Sequence, residues 1–309
     1  MKKIIALLFA LVLVPLVGAT EISLETESGR LFGTLEGAPE KNSHVVLIHP
    51  GSGPTDRDGN SPVIPGANNS LKYIADHLSK KGIASLRIDK RGIAASQAAG
   101  MKEVDLRFEN YVEDCAAWAA ELKKRGFSKV VILGHSEGSL IGMIAVMKSG
   151  AAGFISVAGP ARPANEILEE QLAGKLTPQL KKQSDDVLSS LTKGEMNDEV
   201  PAALNSLYRP SVQPYLISWF AYDPSAEIAK VDVPVLILQG TSDVQVPESA
   251  ALALKKNAKD ATVVIVEGMN HVLKEAEMDN ASQMKAYSDP ELPVCQELLD
   301  AAVKFVQGL

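Results

Sequence analysis

Lys129-Val130-Val131-Ile132-Leu133-Gly134-His135-Ser136-Glu137-Gly138 is the stretch on which the reading of this chain turns. Lys129 to Leu133 reads as a buried strand, and a small-residue helix follows at once and runs to Lys148. Between them lies G-x-S-x-G. Its two glycines let the backbone turn sharply, which lifts the Ser136 hydroxyl above a sheet and keeps side chains out of its way. The bland alternative is a plain strand-to-helix turn with a capping serine. The strand before and the helix after give the motif its specificity.

Working outward, apolar runs and helical patterns alternate. His44–Ile48, Ile83–Ile88, Gly153–Ala158, Val233–Leu238 and Ala261–Val266 read as further strands. A helix over Leu71–Leu78 is opened by Ser70 and stopped at Gly82. Phe108–Arg125 is helical, with Tyr111, Cys115, Trp118, Ala119 and Leu122 on one face. Helices are also predicted near Pro247–Lys256 and over Val294–Val306. Thr20–Lys41 reads as two short antiparallel strands at a sheet edge. Continuous Val/Ile/Leu strands alternating with helices predict an α/β fold, a mostly parallel sheet with helices on both faces. Residues 160–230 break that rhythm with polar helical patterns, Glu166–Lys182 and Asp185–Lys193, and an aromatic segment, Tyr208–Tyr222. An insertion after which the sheet resumes reads as a helical cap.

The 309 residues are 46% hydrophobic and 22% charged, which excludes collagen-like, low-complexity and disordered classes. A formal charge of −7 without a Lys/Arg cluster speaks against nucleic acid as a partner. Residues 1–19 carry Lys2 and Lys3, an apolar run from Ile4 to Val17, and Val17-Gly18-Ala19 before polar sequence. That is the pattern of a secretory signal peptide cut after Ala19. The apolar run is shorter than the roughly 20 residues that span a bilayer, so no stable membrane anchor is expected after cleavage. The expectation is an exported protein, periplasmic or secreted, with a domain over 20–309 that includes the cap at about 160–230.

A serine nucleophile needs a base, and the base an orienting acid. Among the five histidines, His271 alone follows a strand in a short loop, Glu267-Gly268-Met269-Asn270, at the carboxyl edge of the sheet where ligands bind. His49 ends its strand without such a loop, and His135, inside the turn, is expected to point away from the serine. Asp243 follows the preceding strand at the same edge, giving the order Ser136, Asp243, His271; Glu267 is a rival for the acid. One oxyanion donor is the Glu137 N–H by position. The other is expected from Pro50-Gly51-Ser52-Gly53, with Ser52 preferred, Gly51 the alternative, and Pro50 excluded for lack of an N–H. No residues have metal-ligand spacing and no glycine loop has the dinucleotide pattern, so no metal and no cofactor are expected. Cys115 and Cys295 are placed on helices covering opposite faces of the sheet, too far apart to pair, and are expected to be free thiols.

Five segments together resemble a secreted bacterial α/β-hydrolase: His49 to Asn60, Asp89-Lys90-Arg91-Gly92, Gly134 to Gly138, Gly240-Thr241-Ser242-Asp243, and Asn270-His271. The chain is similar, over roughly residues 30–309, to the serine-aminopeptidase-like and dienelactone-hydrolase-like esterases of that superfamily. The resemblance implies the α/β-hydrolase fold, triad roles for Ser136, Asp243 and His271, and an oxyanion loop at Gly51–Gly53. His49-Pro50 stands where relatives often carry His-Gly or Ala-Gly. The expected activity is hydrolysis of a small carboxylic ester through an acyl-serine. Rival readings are an aminopeptidase or amidase with the same triad, a lysophospholipase-like enzyme, and a non-catalytic binding protein on the same scaffold. Asp56-Arg57-Asp58 and Asp89-Lys90-Arg91 either bind a polar substrate or pair with each other and stiffen the oxyanion loop. Tyr208, Tyr215, Trp219 and Phe220 either line an acyl pocket or form the cap's own core.

Overall fold

The computed structural model describes residues 18–39 and 43–309, so the signal-peptide reading of residues 1–19 lies almost wholly outside the described residues. Strands β1 (Thr20–Thr26) and β2 (Gly29–Glu36) form the antiparallel edge hairpin. β3 (His44–His49) leads by a long loop into α1 (Ser70–Lys80) and β4 (Ala84–Ile88). Next come α2 (Phe108–Lys124), β5 (Lys129–His135), α3 (Glu137–Ser149) and β6 (Gly153–Val157). The eight-stranded sheet has the order β1-β2-β4-β3-β5-β6-β7-β8, with β7 at Val235–Gly240 and β8 at Ala261–Val266. From β4 to β8 every pairing is parallel, so the last residues of the central strands gather along one edge.

The period of two along a strand explains why those apolar runs are continuous. Val45, Leu47, Val130, Ile132, Phe154 and Ile237 project into one core with α2 and α3. Their neighbours Val46, Ile48, Val131, Leu133, Ile155 and Leu236 project into a second core with α1 and with α11 (Gln296–Gln307). Burial on both faces makes these runs largely apolar, and the few polar side chains among them, Ser85, Arg87, Ser156 and Gln239, are themselves buried. Cys115 lies in the first core and Cys295 packs against the second; both are free.

Between β6 and β7 lie α4 (Ala164–Leu172), α5 (Pro178–Thr192), α6 (Asn205–Tyr208), α7 (Gln213–Phe220) and α8 (Pro224–Ile228). The predicted helix Glu166–Lys182 is in fact two helices. Gly174 adopts φ +75°, and Pro178, which tolerates only a helix's first turn, opens α5 with Thr177 accepting a hydrogen bond from the Leu180 N–H. α5 then runs without a break through Ser184, where the sequence pattern suggested a boundary. The insertion has no separate core: Val187, Leu191, Leu204 and Leu216 join the apolar cluster built on α2 and α3. After β7 comes α9 (Glu248–Asn257). α10 (Asn280–Ser288), unforeseen in the sequence, is capped by Asp279, whose carboxylate accepts from the Ala281 and Ser282 amides. Among the described residues no helix is long and apolar enough to cross a membrane.

Candidate active site

Ser136 sits between the end of β5 and the start of α3 with φ 55° and ψ −122°, a strained conformation for a residue with a side chain. The turn is possible because its flanking residues lack a Cβ. One added at Gly134 would fall 2.0 Å from the Gly138 carbonyl oxygen, and one at Gly138 would fall 2.6 Å from that of Pro50. The Ser136 N–H donates to Val157 O at 2.9 Å, tying the turn to the end of β6.

His271 reaches Ser136 from the loop after β8. Its Nε2 lies 3.1 Å from Ser136 Oγ, and its Nδ1 lies 2.8 Å from Asp243 Oδ2. Asp243 is fixed on its other side: Oδ1 accepts from the Gln245 and Val246 amides at 2.8 and 2.9 Å, and Oδ2 also accepts from Gln239 Nε2 at 3.1 Å. Burial pushes this carboxyl up, but the charge and hydrogen bond of His271 and the two amides outweigh it and hold it below its ordinary value. An ionised Asp243 accepts only, so the His271 proton belongs on Nδ1. The Nε2 lone pair is then free to take the serine proton.

Two buried residues hold the His271 loop in place. Asn270 Oδ1 accepts from the Val272 and Lys274 amides, both at 3.1 Å. His135 Nε2 donates to the His271 carbonyl oxygen at 2.8 Å, with the two rings 5.0 Å apart. His135 therefore faces the base rather than away from the serine as expected, because the turn that lifts Ser136 also swings its neighbour toward the β8 loop. Burial, and then the charge of His271, pull His135 down to about 4, so its ring stays neutral.

On the opposite side of Ser136 lies Pro50-Gly51-Ser52-Gly53. Gly51 is so close that an added Cβ would stand 3.1 Å from that of Ser136. Beneath this loop is Lys90, which sequence reading treated only as part of a charged cluster. Its ammonium donates to the carbonyls of Gly51 at 2.5 Å and Gly53 at 2.9 Å. It also lies 3.8 Å from Glu137 Oε2 and 5.3 Å from the centre of the Tyr111 ring. The Glu137 carboxylate also accepts from the Tyr215 hydroxyl. Burial lowers the Lys90 ammonium from its ordinary value, and the charge of Glu137 offsets part of that. The other charged residues of the two clusters are also taken up locally: Arg57 pairs with Asp89 at 2.6 Å, Asp58 with Arg87, and Arg91 with Asp114 at 2.5 Å, while Asp56 accepts from the Asp58 and Asn60 amides. They stiffen the edge.

Ser136 and His271 open on a cavity of about 210 Å³. Its walls are the loop from Gly51 to Asn68, including Asn60, Val63 and Ile64, and, opposite, Gln245, Val272 and Tyr287 of α10. Tyr208, Tyr215, Trp219 and Phe220 are absent from this wall, which corrects their assignment as substrate contacts. Tyr208, Tyr215 and Phe220 are buried. Trp219 stacks on Phe108 of α2 at 6.4 Å, and Tyr215 packs against Phe108 and Tyr111. Aromatic area of that size gains most by burial against α2, so the segment anchors the insertion. Among the described residues no cluster of three or more His, Cys, Asp or Glu is placed to hold a metal ion.

The profile of the serine aminopeptidase S33 family matches residues 67–277, about two thirds of the chain, a span holding Ser136, Asp243 and His271. The chain belongs to that family. The match begins after β3 and the Pro50–Gly53 loop. Esterase EstD of Thermotoga maritima is 30% identical over 236 residues, which are 74% of this chain and 54% of that protein. The chain thus spans about half the length of the curated relative it matches. Among solved structures, Est1E of Butyrivibrio proteoclasticus with ferulic acid bound superposes with a TM-score of 0.61 at 20% identity, over 93% of this chain and 96% of that one. The α/β-hydrolase GrgF of a Penicillium species gives 0.63 at 18% identity, over 94% and 99%. Both share the α/β-hydrolase fold with this chain.

Proposed function

We propose that this protein is an extracytoplasmic serine hydrolase that cleaves short-chain carboxylic esters through an acyl-Ser136 intermediate. The observation that carries this reading is the chain of contacts from Asp243 through His271 to Ser136 Oγ, at 2.8 and 3.1 Å, opening on a small cavity. His271 takes the Ser136 proton as Oγ attacks the ester carbonyl, gives it to the departing alkoxide, and then activates water against the acyl-enzyme. The Glu137 N–H and one amide of the Gly51–Ser52 pair stabilise the developing oxyanion. The similarity to an esterase supports the reaction class, and the character of residues 1–19 supports export.

The family's name raises the rival of an aminopeptidase. An aminopeptidase holds the α-ammonium of its substrate, for which a carboxylate is the natural partner. No Asp or Glu is among the described residues that line the cavity. The size of the cavity favours a short acyl group over a lysophospholipid chain, because each methylene left outside forgoes about 0.8 kcal/mol. The test is a series of p-nitrophenyl esters of increasing acyl length, with matched anilides, on the mature enzyme. kcat/KM is expected to be highest for roughly two to six acyl carbons and to fall beyond. A steady rise to long chains, measured below their critical micelle concentrations, overturns the short-chain reading. Faster cleavage of the anilide than of its ester overturns the ester reading.

A further inference from the structure

The ester-hydrolase reading leaves unexplained why a lysine, 3% exposed, lies beneath the oxyanion loop. The bonds of Lys90 go to the loop and to Glu137, not to Ser136 or His271. Its short bonds go to two carbonyls of that loop, at 2.5 and 2.9 Å, while its distance to Glu137 is 3.8 Å. Its first partner is therefore the loop, and the carboxylate comes second.

In a trans peptide the C=O and the following N–H point in opposite directions, and the chain has no cis bond among the described residues. Fixing the Gly51 carbonyl on Lys90 turns the Ser52 N–H away from Lys90, into the cavity that Ser52 lines together with Ser136. Fixing the Gly53 carbonyl aims no amide, because Pro54 follows and has no N–H. The Gly51 N–H is held otherwise. It lies opposite the Pro50 carbonyl, which accepts from His49 Nδ1 at 2.9 Å and faces the first turn of α3. The clamp thus selects one amide.

We propose that Lys90 is a positioning residue of the oxyanion site, holding the Gly51 and Gly53 carbonyls so that the Ser52 N–H is preset for the tetrahedral intermediate. This rests on the acyl-Ser136 reading. A loop bearing two glycines has many conformations open to it, with Gly53 at φ +68°. A donor preset before the reaction stabilises charge without reorganising, and losing one such donor costs on the order of 10²–10³ in kcat. The competing role is a plain counter-charge for the buried Glu137 carboxylate. On that view, removing both charges together restores the rate.

The experiment compares wild type, Lys90→Met, Glu137→Gln and the double variant on p-nitrophenyl acetate, with inhibition by a small alkyl boronic acid that forms a tetrahedral adduct on serine. Wild-type turnover and its loss in Ser136→Ala test the underlying reading by themselves. For Lys90→Met we expect kcat to fall about 100-fold with KM within about threefold, and boronate Ki to rise in proportion to the loss in kcat/KM. The double variant, set against Glu137→Gln alone, is expected to show the same deficit, and it serves as the test if Lys90→Met does not fold. A kcat for Lys90→Met within threefold of wild type overturns the proposal. So does a double variant matching Glu137→Gln, or a boronate Ki that stays constant while kcat falls.

Discussion

Replacing Asp243 by Asn changes one atom and tests the whole relay. Oδ1 of the native carboxylate accepts from two backbone amides, and Oδ2 accepts from His271 Nδ1 and Gln239 Nε2. The new side chain must keep its oxygen toward the Gln245 and Val246 amides, since an NH₂ there would leave two donors unpaired and face them with a third. Its NH₂ then points at His271, whose Nδ1 has to become an acceptor. The imidazole proton moves to Nε2, beside Ser136 Oγ, and the lone pair that should receive the serine proton is gone. A wrong-tautomer histidine costs about 10⁴ in kcat, which at 1.36 kcal/mol per decade is about 5.4 kcal/mol of transition-state stabilisation. The assay is steady-state hydrolysis of p-nitrophenyl acetate, with circular dichroism and thermal unfolding to show that the variant folds. A folded Asp243→Asn enzyme retaining more than a tenth of wild-type kcat would refute the tautomer argument, and with it the assignment of Asp243 over Glu267.

Ser136→Ala should lose on the order of 10⁴–10⁶ in kcat with its circular dichroism unchanged; because the site holds φ at 55°, Ser136→Gly should unfold at a higher temperature than Ser136→Ala, and the reverse order would deny strain at the turn. Unreduced protein in denaturant should titrate as two free thiols with Ellman's reagent, while in the native state both react slowly at pH 8. Cys115 is buried, and burial and the charge of Glu275 push Cys295 up to about 11; fewer than two thiols would contradict the separation of the helices. Acid should weaken the fold below pH 6.5. His135 and His49 are pulled down to about 4 and about 3 by burial, so they take up protons on unfolding in a range where the folded protein does not. Each then costs about 1.4 kcal/mol of stability per pH unit until its folded value is reached, and a melting temperature constant from pH 7 to 4.5 would reject this.

The sheet was readable because its central strands are buried on both faces. Runs such as Val130–Leu133 and Val235–Leu238 have no polar position to confuse the signal. The reactive residues were readable for a related reason: Ser136, Asp243 and His271 each lie just past the carboxyl end of a parallel strand, so finding the strands locates the edge. The cavity wall was not readable. The segment from Asp56 to Asn69 has no helical or strand period, because its shape comes from side chains bonding to nearby backbone. Asp56 Oδ1 accepts from the Asp58 and Asn60 amides, and Asn60 Oδ1 from those of Asn68 and Asn69. Lys90 escaped for the opposite reason: it sits among charged residues that do pair, and nothing local distinguishes the one that turns inward. The aromatic residues of Tyr208–Tyr222 were visible in the sequence. Their packing on α2, more than a hundred positions earlier, was not.

The loop after β3, with α1 that follows it, is joined to the segment around α10 at two points: Gly66 of the loop, where any Cβ would strike the Ser288 carbonyl oxygen at 2.3 Å, and Tyr73 of α1, whose hydroxyl donates to Pro290 O at 2.8 Å. The outer walls are thus built apart from the relay, whereas Gln245 belongs to both, lining the cavity and donating its amide to Asp243. The walls lean on each other across the mouth of the cavity, while the reacting groups are rooted in strand ends below. For protein engineering this divides the molecule into a chassis and an exchangeable fitting. Residues 61–65 and Tyr287 can be redrawn together to admit bulkier or more polar acids, provided the seam at Gly66 is left as it is. Changing one wall without the other opens that seam, so libraries that vary both at once should yield more folded variants than libraries that vary either alone.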